Sequence, residues 1–429
     1  MNIPLDRLAL LPVFLTFVFY PPVAWLALNC FPERFRIWVF AVVNVAGTLG
    51  LCFAVTLINV PDLRGSLVLY VKVTVLLFAA YVAIVLICYA TLLAGKEHGT
   101  RWSALAFAVP LVFLVLIKYL PPGWNPFAST LDTLGDRILG VYFVGISYMA
   151  FRLSHLVREV QNKVAPLPGI SEYLAFAFFV PTILVGPISP FSKMHSSLQG
   201  RGPGRDAAPT AWLRLLIGFT KYIFLASIAS QFTYAGFLLD GHPHSKMDLA
   251  IAIVAYTIYL YCNFSGFCDM VIGISALLGI DVAENFNRPF TSRNLQEFWN
   301  RWHMTLSSWL RDFMFTPMLK ALVRLFGPAS LNAMTAFTII SVFVVIGIWH
   351  GTGLNYALFG LWQGVGLAVV HYYTVFLKRV LGKQRYLAYE QNPFFRYLGI
   401  TMTCAYFSLS LFFFANSLDD MRLILHTLS

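Results

Sequence analysis

Charged residues are scarce in this chain, and their scarcity decides the solvent in which it folds. Only 11% of its 429 residues are charged and 59% are hydrophobic, with a mean hydropathy of +0.72. No Asp, Glu, Lys or Arg occurs between Arg324 and Lys378. Because a water-soluble domain carries about a quarter of charged residues, we exclude such a domain and predict a protein that is solvated by lipid.

Several sequence motifs are also absent, and each absence excludes a class of function. The chain has no Walker A motif and no Rossmann fingerprint, and no serine lies in a Gly-x-Ser-x-Gly setting. Nucleotide-driven chemistry and a serine nucleophile are therefore not indicated. The six cysteines form no Cys-x-x-Cys pair, so neither a zinc site nor a disulfide framework is predicted. We expect no metal and no tightly bound cofactor.

What the chain does have is a series of long apolar runs. A membrane-spanning helix needs roughly 20 mostly apolar residues, whereas a β-barrel would show segments of about ten residues with alternating polarity. We therefore predict an all-α, multi-pass membrane protein, in which some runs are too short to cross alone. The predicted apolar segments are Leu8–Leu28, Ile37–Val60, Val73–Ala94, Ile138–Met149, Tyr173–Ser189, Leu249–Cys262, Met334–Trp349, Tyr356–Leu377 and Tyr397–Ala415.

The formal net charge of +11 has a simple explanation in a membrane protein. Lys and Arg collect in cytoplasmic loops, and basic loops attract anionic head groups. We expect membrane lipids as partners and no nucleic acid. A Gly- and Pro-rich stretch at Gln199–Pro209 is the only linker-like segment, so we predict one membrane-embedded domain, with N-terminal helices over 1–198, a loop at 199–209 and the catalytic core helices over 210–429.

The polar, Trp-rich stretch Pro289–Pro317 lies between hydrophobic segments. At about 100° per residue its apolar residues fall on one arc, and its polar residues lie opposite. We predict one amphipathic helix here that lies in the membrane interface or folds back into the protein. The arc is formed by Leu295, Phe298, Trp299, Trp302, Leu306, Trp309, Leu310 and Phe313, with His303 at its border.

His350 is the most informative single residue, because it stands inside the longest uncharged stretch. An ionisable group inside the membrane is expensive and by default marks a functional site. The following Gly351 and Gly353 permit a break in the helix or a close approach of substrate to the backbone. The alternative is a structural histidine that hydrogen-bonds a neighbouring helix.

His303 is a second histidine in an unusual setting, although it could instead be an ordinary interfacial residue. Burial disfavours the charged imidazolium, so a histidine in apolar surroundings is suited to accept a proton at physiological pH. Together, His303 and His350 predict a polar site that performs general-base chemistry.

Two other groups are weaker candidates. Asp269 is flanked by apolar residues, so it must be paired or protonated; it orients a histidine or forms an ion pair with Arg288, Arg293 or Arg311. His242 and His244 lie beside Asp240 in a His-Pro-His cluster, which we interpret as a solvated loop, with metal binding as the alternative.

Four ordered blocks resemble the bacterial branch of the membrane-bound O-acyltransferase family. These blocks are Asn285-Phe-Asn-Arg-Pro-Phe290, Glu297-Phe-Trp-Asn-Arg-Trp-His303, Ser308-Trp-Leu-Arg-Asp312 and Trp349-His-Gly351. The resemblance is dense over about Gly186–Leu377. That branch includes the membrane subunits of alginate and peptidoglycan O-acetylation and the protein that passes D-alanine to lipoteichoic acid.

The resemblance implies a fold and a set of functional residues. The fold would be a ring of tilted helices, with re-entrant and amphipathic helices around a central tunnel. His350 and His303 would be catalytic, with His350 as general base and His303 positioning the acceptor or stabilising the oxyanion. The residues we assign to substrate binding in the tunnel are Asn300, Trp302, Ser307, Arg311, Asp269 and Trp349.

The implied reaction moves an acyl group, D-alanyl or acetyl, across a bacterial cytoplasmic membrane. The donor would be a thioester, on either a phosphopantetheinyl acyl carrier protein or acetyl-coenzyme A. The acceptor would be a hydroxyl of a cell-envelope glycan or polyol, reached directly or through an SGNH-type partner protein. Asn300 favours the D-alanyl type, whereas Phe264-Ser-Gly-Phe-Cys-Asp-Met270 favours the alginate type. The alternative from another class is a transporter or flippase without acyl-transfer chemistry, against which the lack of visible internal symmetry counts.

Overall fold

The computed structural model describes residues 11–59, 67–119 and 143–428. Over these ranges the regular structure is helical, and β pairing is limited to two isolated bridges. The all-α, multi-pass prediction is confirmed, since eight helices of the described chain are long and apolar enough to cross a membrane. These helices are Leu11–Asn29, Glu33–Ile58, Val68–His98, Arg101–Tyr119, Ala208–Leu238, Lys246–Leu277, Pro328–His350 and Pro393–Ala415.

The described α-helices are, in chain order, α1 Leu11–Phe14, α2 Tyr20–Asn29, α3 Glu33–Asn59, α4 Leu67–His98, α5 Thr100–Tyr119, α6 Ile146–Gln161, α7 Ile170–Ala177, α8 Phe191–Ser196, α9 Ala208–Phe219, α10 Ala226–Ser230, α11 Lys246–Leu277, α12 Leu295–Trp299, α13 Met304–Leu310, α14 Thr316–Phe326, α15 Leu331–His350, α16 Leu354–Gln391, α17 Pro393–Ala415 and α18 Leu418–Thr427. Wider π turns occupy Leu15–Phe19, Ser197–Arg201, Thr220–Leu225, Tyr234–Leu238 and Arg311–Phe315, and 3-10 turns occupy Val180–Thr182, Arg205–Ala207, Pro289–Thr291 and Pro328–Ser330.

Two membrane-spanning helices, Arg101–Tyr119 and Ala208–Leu238, are not among the segments predicted from sequence. Each carries basic residues, either near its ends or in its interior, and these lower its mean hydropathy. The predicted Tyr356–Leu377 segment is the first part of the longer helix α16. Predicted residues 8–10, 60 and 138–142 lie outside the described part of the chain.

The prediction of a continuous apolar helix over Tyr173–Ser189 is wrong. Helix α7 ends at Ala177, and residues 178–190, which we call the 178–190 interruption, contain only one short 3-10 turn. Pro181, Pro187 and Pro190 explain the break, because proline removes a donor and clashes with the preceding turn of a helix.

Two clusters of bonds hold the backbone of the 178–190 interruption. Asn44 accepts from Val180 N at 3.1 Å, and Thr48 donates to Phe178 O at 3.2 Å. The fully buried Arg152 donates to Ala177 O at 2.7 Å and to the Thr182 hydroxyl. Side chains therefore satisfy the polar groups that lipid cannot satisfy.

The chain divides into two compact units. The first contains residues up to 218 together with 267–283, and the second contains 219–266 and 284–429. Helix α11 contributes its first part to the second unit and its last part to the first. Both of the histidines singled out above, His303 and His350, belong to the second unit.

Glycines let α15 and α16 pack backbone against backbone in the second unit. A Cβ added at Gly360 would lie 2.2 Å from Phe343 O, and one added at Gly347 would lie 2.1 Å from Tyr356 O. Small residues permit such close approach between helices in a membrane. This packing fixes the end of α15, and hence the position of His350.

The single amphipathic helix predicted over 289–317 is also wrong in one respect. The apolar residues Leu295, Phe298, Trp302 and Leu306 are buried, as the pattern predicts. The helix, however, is interrupted between α12 and α13, because His303 has a left-handed backbone with φ +46° and ψ +51°. A residue in the left-handed conformation cannot continue a right-handed α-helix.

Candidate active site

A short hairpin places His303. Asn287 N donates to Arg301 O at 3.0 Å and Met304 N donates to Asn285 O at 2.9 Å, while Phe286 and Trp302 form an antiparallel bridge. We call these two segments, residues 285–287 and 301–304, the 285–304 hairpin. The left-handed conformation of His303 lets the chain leave the bridge at Trp302 and start helix α13 at Met304.

The imidazole of His303 is buried, with 4% of the residue exposed. Its Nδ1 lies 3.1 Å from the Oδ1 atom of Asn285, and its ring meets Phe264 edge to face at 4.8 Å. Burial lowers the pKa of His303 to about 3. The imidazole is therefore neutral at physiological pH, and one of its ring nitrogens is a hydrogen-bond acceptor.

His350 is the last residue of α15, and the break that its two glycines predict is present. Gly351 is fully extended, with φ −171° and ψ +169°, and Gly353 precedes the first residue of α16. The half-buried imidazole of His350 meets Phe414 at 5.0 Å and 82° and lies 4.7 Å from the ring of Trp349.

One aromatic cluster connects the surroundings of the two histidines. Phe264, which touches His303, and Phe359 and Phe414, which touch His350, all belong to it. Its centre is formed by the buried side chains of Tyr234, Tyr256, Phe298, Trp302, Phe359 and Phe407. Both imidazoles thus lie at the edge of the same apolar core within the second unit.

Helix α16 contacts both His350 and the segment that leads to His303. Phe359 contacts His350, while Gln363 accepts a hydrogen bond of 3.2 Å from the indole of Trp299, four residues before His303. Phe359 and Gln363 are four residues apart on one helix, which is about 6 Å along its axis. The residues of α16 that contact Trp299 and His350 are therefore about one helical turn apart.

A chain of buried hydrogen bonds fixes the position of the Gln363 side chain. Gln363 is fully buried and donates at 2.6 Å to Ser410, whose hydroxyl donates to Phe407 O at 2.6 Å. The glutamine therefore links Trp299 to both α16 and α17. Breaking either bond would leave a buried polar group unsatisfied, which costs several kcal/mol in a lipid-solvated interior.

The two ends of the second unit differ in charge. Asn355 donates to Phe413 O at 3.2 Å and His244 N donates to Thr427 O at 2.9 Å, which gathers the His350 end, residues 240–248 and residues 416–428 at one end. This end carries Asp240, Asp248, Asp419 and Asp420 with Lys246 and Arg422. The junction of α16 with α17 at the other end carries Lys378, Arg379, Lys383, Arg385 and Arg396 with Glu390.

The segment between the two arms of the 285–304 hairpin begins at the basic end. Arg293 donates to Glu390 O at 3.3 Å. A Cβ added at Gly399 would lie 2.4 Å from Arg293 O. The chain therefore runs from the basic end at Arg293 to Gln363, which Trp299 contacts.

The structure gives the other predicted tunnel residues different surroundings. Trp302 is buried in the aromatic cluster, and Ser307 donates to Trp302 O at 3.3 Å. Trp349 packs on His350. Asn300 is exposed, and the exposed Arg311 pairs with Asp312 at 3.1 Å. Trp302, Ser307 and Trp349 thus lie next to a histidine in sequence or in space, and a role in substrate binding remains a prediction for all five.

Asp269 has a partner that the sequence analysis did not consider. It lies in the first unit and forms an ion pair with Arg214 at 3.1 Å. None of Arg288, Arg293 and Arg311 is its partner in this pair, and the structural interpretation of Asp269 gains support. His244, likewise, lies 2.8 Å from Asp240 in an ion-pair geometry.

Sequence analysis missed three polar residues of the second unit. Asn285 contacts His303, Gln363 contacts Trp299, and Lys221 places its ammonium 5.6 Å from the centre of the Tyr261 ring. Lys221 lies in the π turn Thr220–Leu225, in the middle of a membrane-spanning helix, where a charge by default marks a functional site. That rule, applied to Lys221, is the signal that would have found it.

An apolar groove of about 590 Å³ lies elsewhere in the second unit, between the Ala208–Leu238 and Lys246–Leu277 spans. Its lining includes Leu225, Phe232, Met247, Val254 and Cys262, and neither histidine contributes to it.

This chain is similar to several known proteins over half of its length or more. The model of the membrane-bound O-acyltransferase family matches residues 65–412. The chain is 32% identical to the teichoic acid D-alanyltransferase of Streptococcus thermophilus over 76% of this chain and 78% of that protein. It is 28% identical to the probable alginate O-acetylase of Azotobacter vinelandii over 64% of this chain and 54% of that protein.

A third relative is the peptidoglycan O-acetyltransferase of Helicobacter pylori, which is 31% identical over 53% of this chain and 42% of that protein. The chain thus spans about half the length of the O-acetylating relatives and more than three quarters of the D-alanyltransferase. The family match covers most of the chain, includes both histidines and agrees with the helical membrane fold. This chain is therefore a member of the membrane-bound O-acyltransferase family.

Proposed function

We propose that this chain transfers an acyl group from a thioester at its basic end to a hydroxyl at its acidic end. The single observation that carries this proposal is that both imidazoles lie at the edge of one aromatic cluster. The family supports acyl transfer in general, and the two histidines supply the groups that such a transfer needs.

In the proposed reaction, His350 accepts the proton of the acceptor hydroxyl as its oxygen attacks the thioester carbonyl carbon. The carbon–oxygen ester bond forms, the carbon–sulfur bond breaks, and the leaving thiolate takes the proton from His350. An alcohol is a weak nucleophile until this proton is removed, and such assistance contributes roughly 10²–10⁴-fold in rate. His303 contacts the same substrate from its own position at the edge of the aromatic cluster.

The charges of the second unit support a direction for the transfer. Basic residues face the cytoplasm in membrane proteins, so the junction of α16 with α17 would be cytoplasmic and His350 would lie toward the outer surface. The donor would then approach from the side of Arg293 and the acceptor from the side of Gly351. This arrangement suits a bacterial cytoplasmic membrane.

The group transferred is either D-alanyl or acetyl. The greater coverage of the D-alanyltransferase favours D-alanyl, carried as a thioester on a phosphopantetheinyl carrier protein; acetyl would come from acetyl-coenzyme A. The acceptor would be a cell-envelope glycan or polyol, or an SGNH-type partner protein that takes the acyl group on the outer side.

Oriented proteoliposomes test this function. The purified protein is supplied with radiolabelled D-alanyl-carrier protein or acetyl-coenzyme A on the side of the basic end, and with glycerol phosphate polymer or alginate on the other side. We expect labelled ester from one donor and none when that donor is on the opposite side. If neither donor gives ester while the vesicles move a lipid-linked sugar, the protein is a transporter and the proposal is wrong.

A further inference from the structure

The side chain of Asn285 decides which nitrogen of His303 carries the proton. Asn285 is fully buried, and its Oδ1 atom has three neighbours. These are the Thr305 hydroxyl at 2.9 Å, Thr305 N at 3.3 Å and His303 Nδ1 at 3.1 Å. All three contacts converge on one oxygen.

Thr305 fixes the orientation of this amide. Ordinarily the oxygen and nitrogen of an asparagine side chain are assigned from the hydrogen-bond network. A backbone N–H can only donate, so the atom of Asn285 that faces Thr305 N must be the oxygen. That oxygen can only accept, and His303 Nδ1 must therefore carry the hydrogen.

The consequence falls on the other ring nitrogen. A neutral imidazole carries one hydrogen, so when Nδ1 donates, Nε2 presents a lone pair and accepts. The burial that keeps His303 neutral prevents the ring from gaining a second hydrogen, which would bind at Nε2, at physiological pH. Sequence analysis allowed His303 either to position the acceptor or to stabilise the oxyanion, and these two tasks require opposite hydrogen-bond roles.

We infer that Asn285 is a positioning residue that holds His303 as the Nδ1–H tautomer, so that Nε2 accepts a hydrogen bond from a substrate N–H or O–H. His303 then does not donate to the oxyanion. This inference rests on the proposed function for its substrate, although the tautomer itself is independent of any activity. The group that faces Nε2 is a hydroxyl, an amide N–H or an ammonium, all of which the proposed donors and acceptors carry.

The hairpin gives the lock its rigidity. Asn285 O accepts from Met304 N, and Asn287 N donates to Arg301 O, so both sides of His303 are tied to the strand that bears Asn285. These backbone bonds hold the segments that bear Asn285 and His303 side by side. Hydrogen-bond partners of this kind fix the tautomer and orientation of an imidazole.

Nitrogen-15 magnetic resonance of histidine-labelled protein in lipid bilayers tests the tautomer directly. Chemical shifts distinguish a protonated from a bare ring nitrogen, and the difference from His303→Gln assigns the signals. We expect a protonated Nδ1 and a bare Nε2 at pH 7. A bare Nδ1 with a protonated Nε2 would overturn the inference, whatever the protein catalyses.

Variants of Asn285 separate positioning from a purely structural role. Asn285→Asp keeps the shape and the acceptor, but its negative charge next to Nδ1 should raise the pKa of His303 by about one to three units. We expect the nitrogen-15 titration of His303 to move to higher pH by a similar amount, with Nδ1 still protonated. Asn285→Leu removes the acceptor, and we expect mixed tautomer signals and a loss of activity.

Asn287→Ala is the matched control, because Asn287 lies on the same strand with an exposed side chain. It should leave both the tautomer and the titration of His303 unchanged. An Asn285→Leu protein that folds and retains a single Nδ1–H tautomer would show that Asn285 is not the lock. An inactive wild-type protein with the expected tautomer would instead count against the proposed function alone.

Discussion

Two stretches of irregular backbone, the 178–190 interruption and the 285–304 hairpin, solve the same problem with different chemistry. Each follows a break in helical structure among apolar segments, where free N–H and C=O groups are costly. In the first, Asn44 and Thr48 hydrogen-bond to its backbone, and Arg152 donates to Ala177 O just before it and to the Thr182 hydroxyl within it. In the second, Asn285 bonds to an imidazole, which leaves one ring nitrogen to accept from something else.

The difference teaches how to separate structural from functional polar residues in such a chain. Arg152 is as unusual in sequence as His350, since both are ionisable and lie among apolar residues. Arg152 donates to Ala177 O and to Thr182, so it completes a fold. His303 and His350 instead pack on aromatic rings at the edge of a cluster, and burial keeps the imidazole of His303 neutral.

The largest expected effect concerns His350. We predict that His350→Ala lowers acyl transfer by roughly 10²–10⁴-fold, because the acceptor hydroxyl loses its proton acceptor, while the thermal stability in detergent changes little. Turnover under single-turnover conditions measures this effect. His371→Ala is the control, since His371 lies on α16 and bonds to Asn332 at 3.2 Å, away from the cluster; equal losses in the two variants would contradict the assignment.

The opposite result is expected in the 178–190 interruption. Arg152→Met should lower the free energy of unfolding by about 1–3 kcal/mol, because it leaves Ala177 O without a donor. Activity per folded molecule should stay within about threefold of the wild type, as for independent sites. Urea unfolding and turnover measure the two quantities. The exposed Arg158 on the same helix provides the control Arg158→Ala; a folded Arg152→Met protein without activity would break the comparison.

The smallest effect is a pH dependence of stability that arises from His303. Its pKa is about 3 in the folded protein and about 6.5 in an unfolded chain. Below pH 6.5 the unfolded state therefore binds a proton that the folded state does not bind. Stability that is fully present above pH 6.5 should fall by about 2 kcal/mol at pH 5.

His303→Gln removes this titration and provides the comparison. We expect its free energy of unfolding to change less between pH 7.5 and pH 5 than that of the wild type. Chemical unfolding in detergent at the two pH values measures the difference. Equal pH dependence in both proteins would mean that His303 is protonated, or exposed, in the folded state.

Much of the fold and part of the site could be predicted from sequence. Hydropathy identified the helical membrane class, and the buried arc with Leu295, Phe298 and Trp302 was correct. The glycines after His350 predicted the end of α15. Each of these features depends on local composition or on helical periodicity, which a single sequence displays.

The errors concern contacts between distant residues. The interruption at His303 depends on its pairing with residues near Asn285, and periodicity within 289–317 contains no information about that partner. The Asp269–Arg214 pair joins positions 55 residues apart, and several arginines were equally plausible. Lys221 was overlooked because the Ala208–Leu238 span that contains it was not among the predicted segments.

The measurement that most directly tests whether His303 and His350 act in one acyl-transfer site is a double-variant cycle of single-turnover acyl transfer, with His303→Ala, His350→Ala and the two combined. Groups that act as one unit are strongly non-additive, so the double variant should be no slower than the slower single variant, within about threefold. Losses that multiply in the double variant would show that the two imidazoles act independently, and would contradict a shared site.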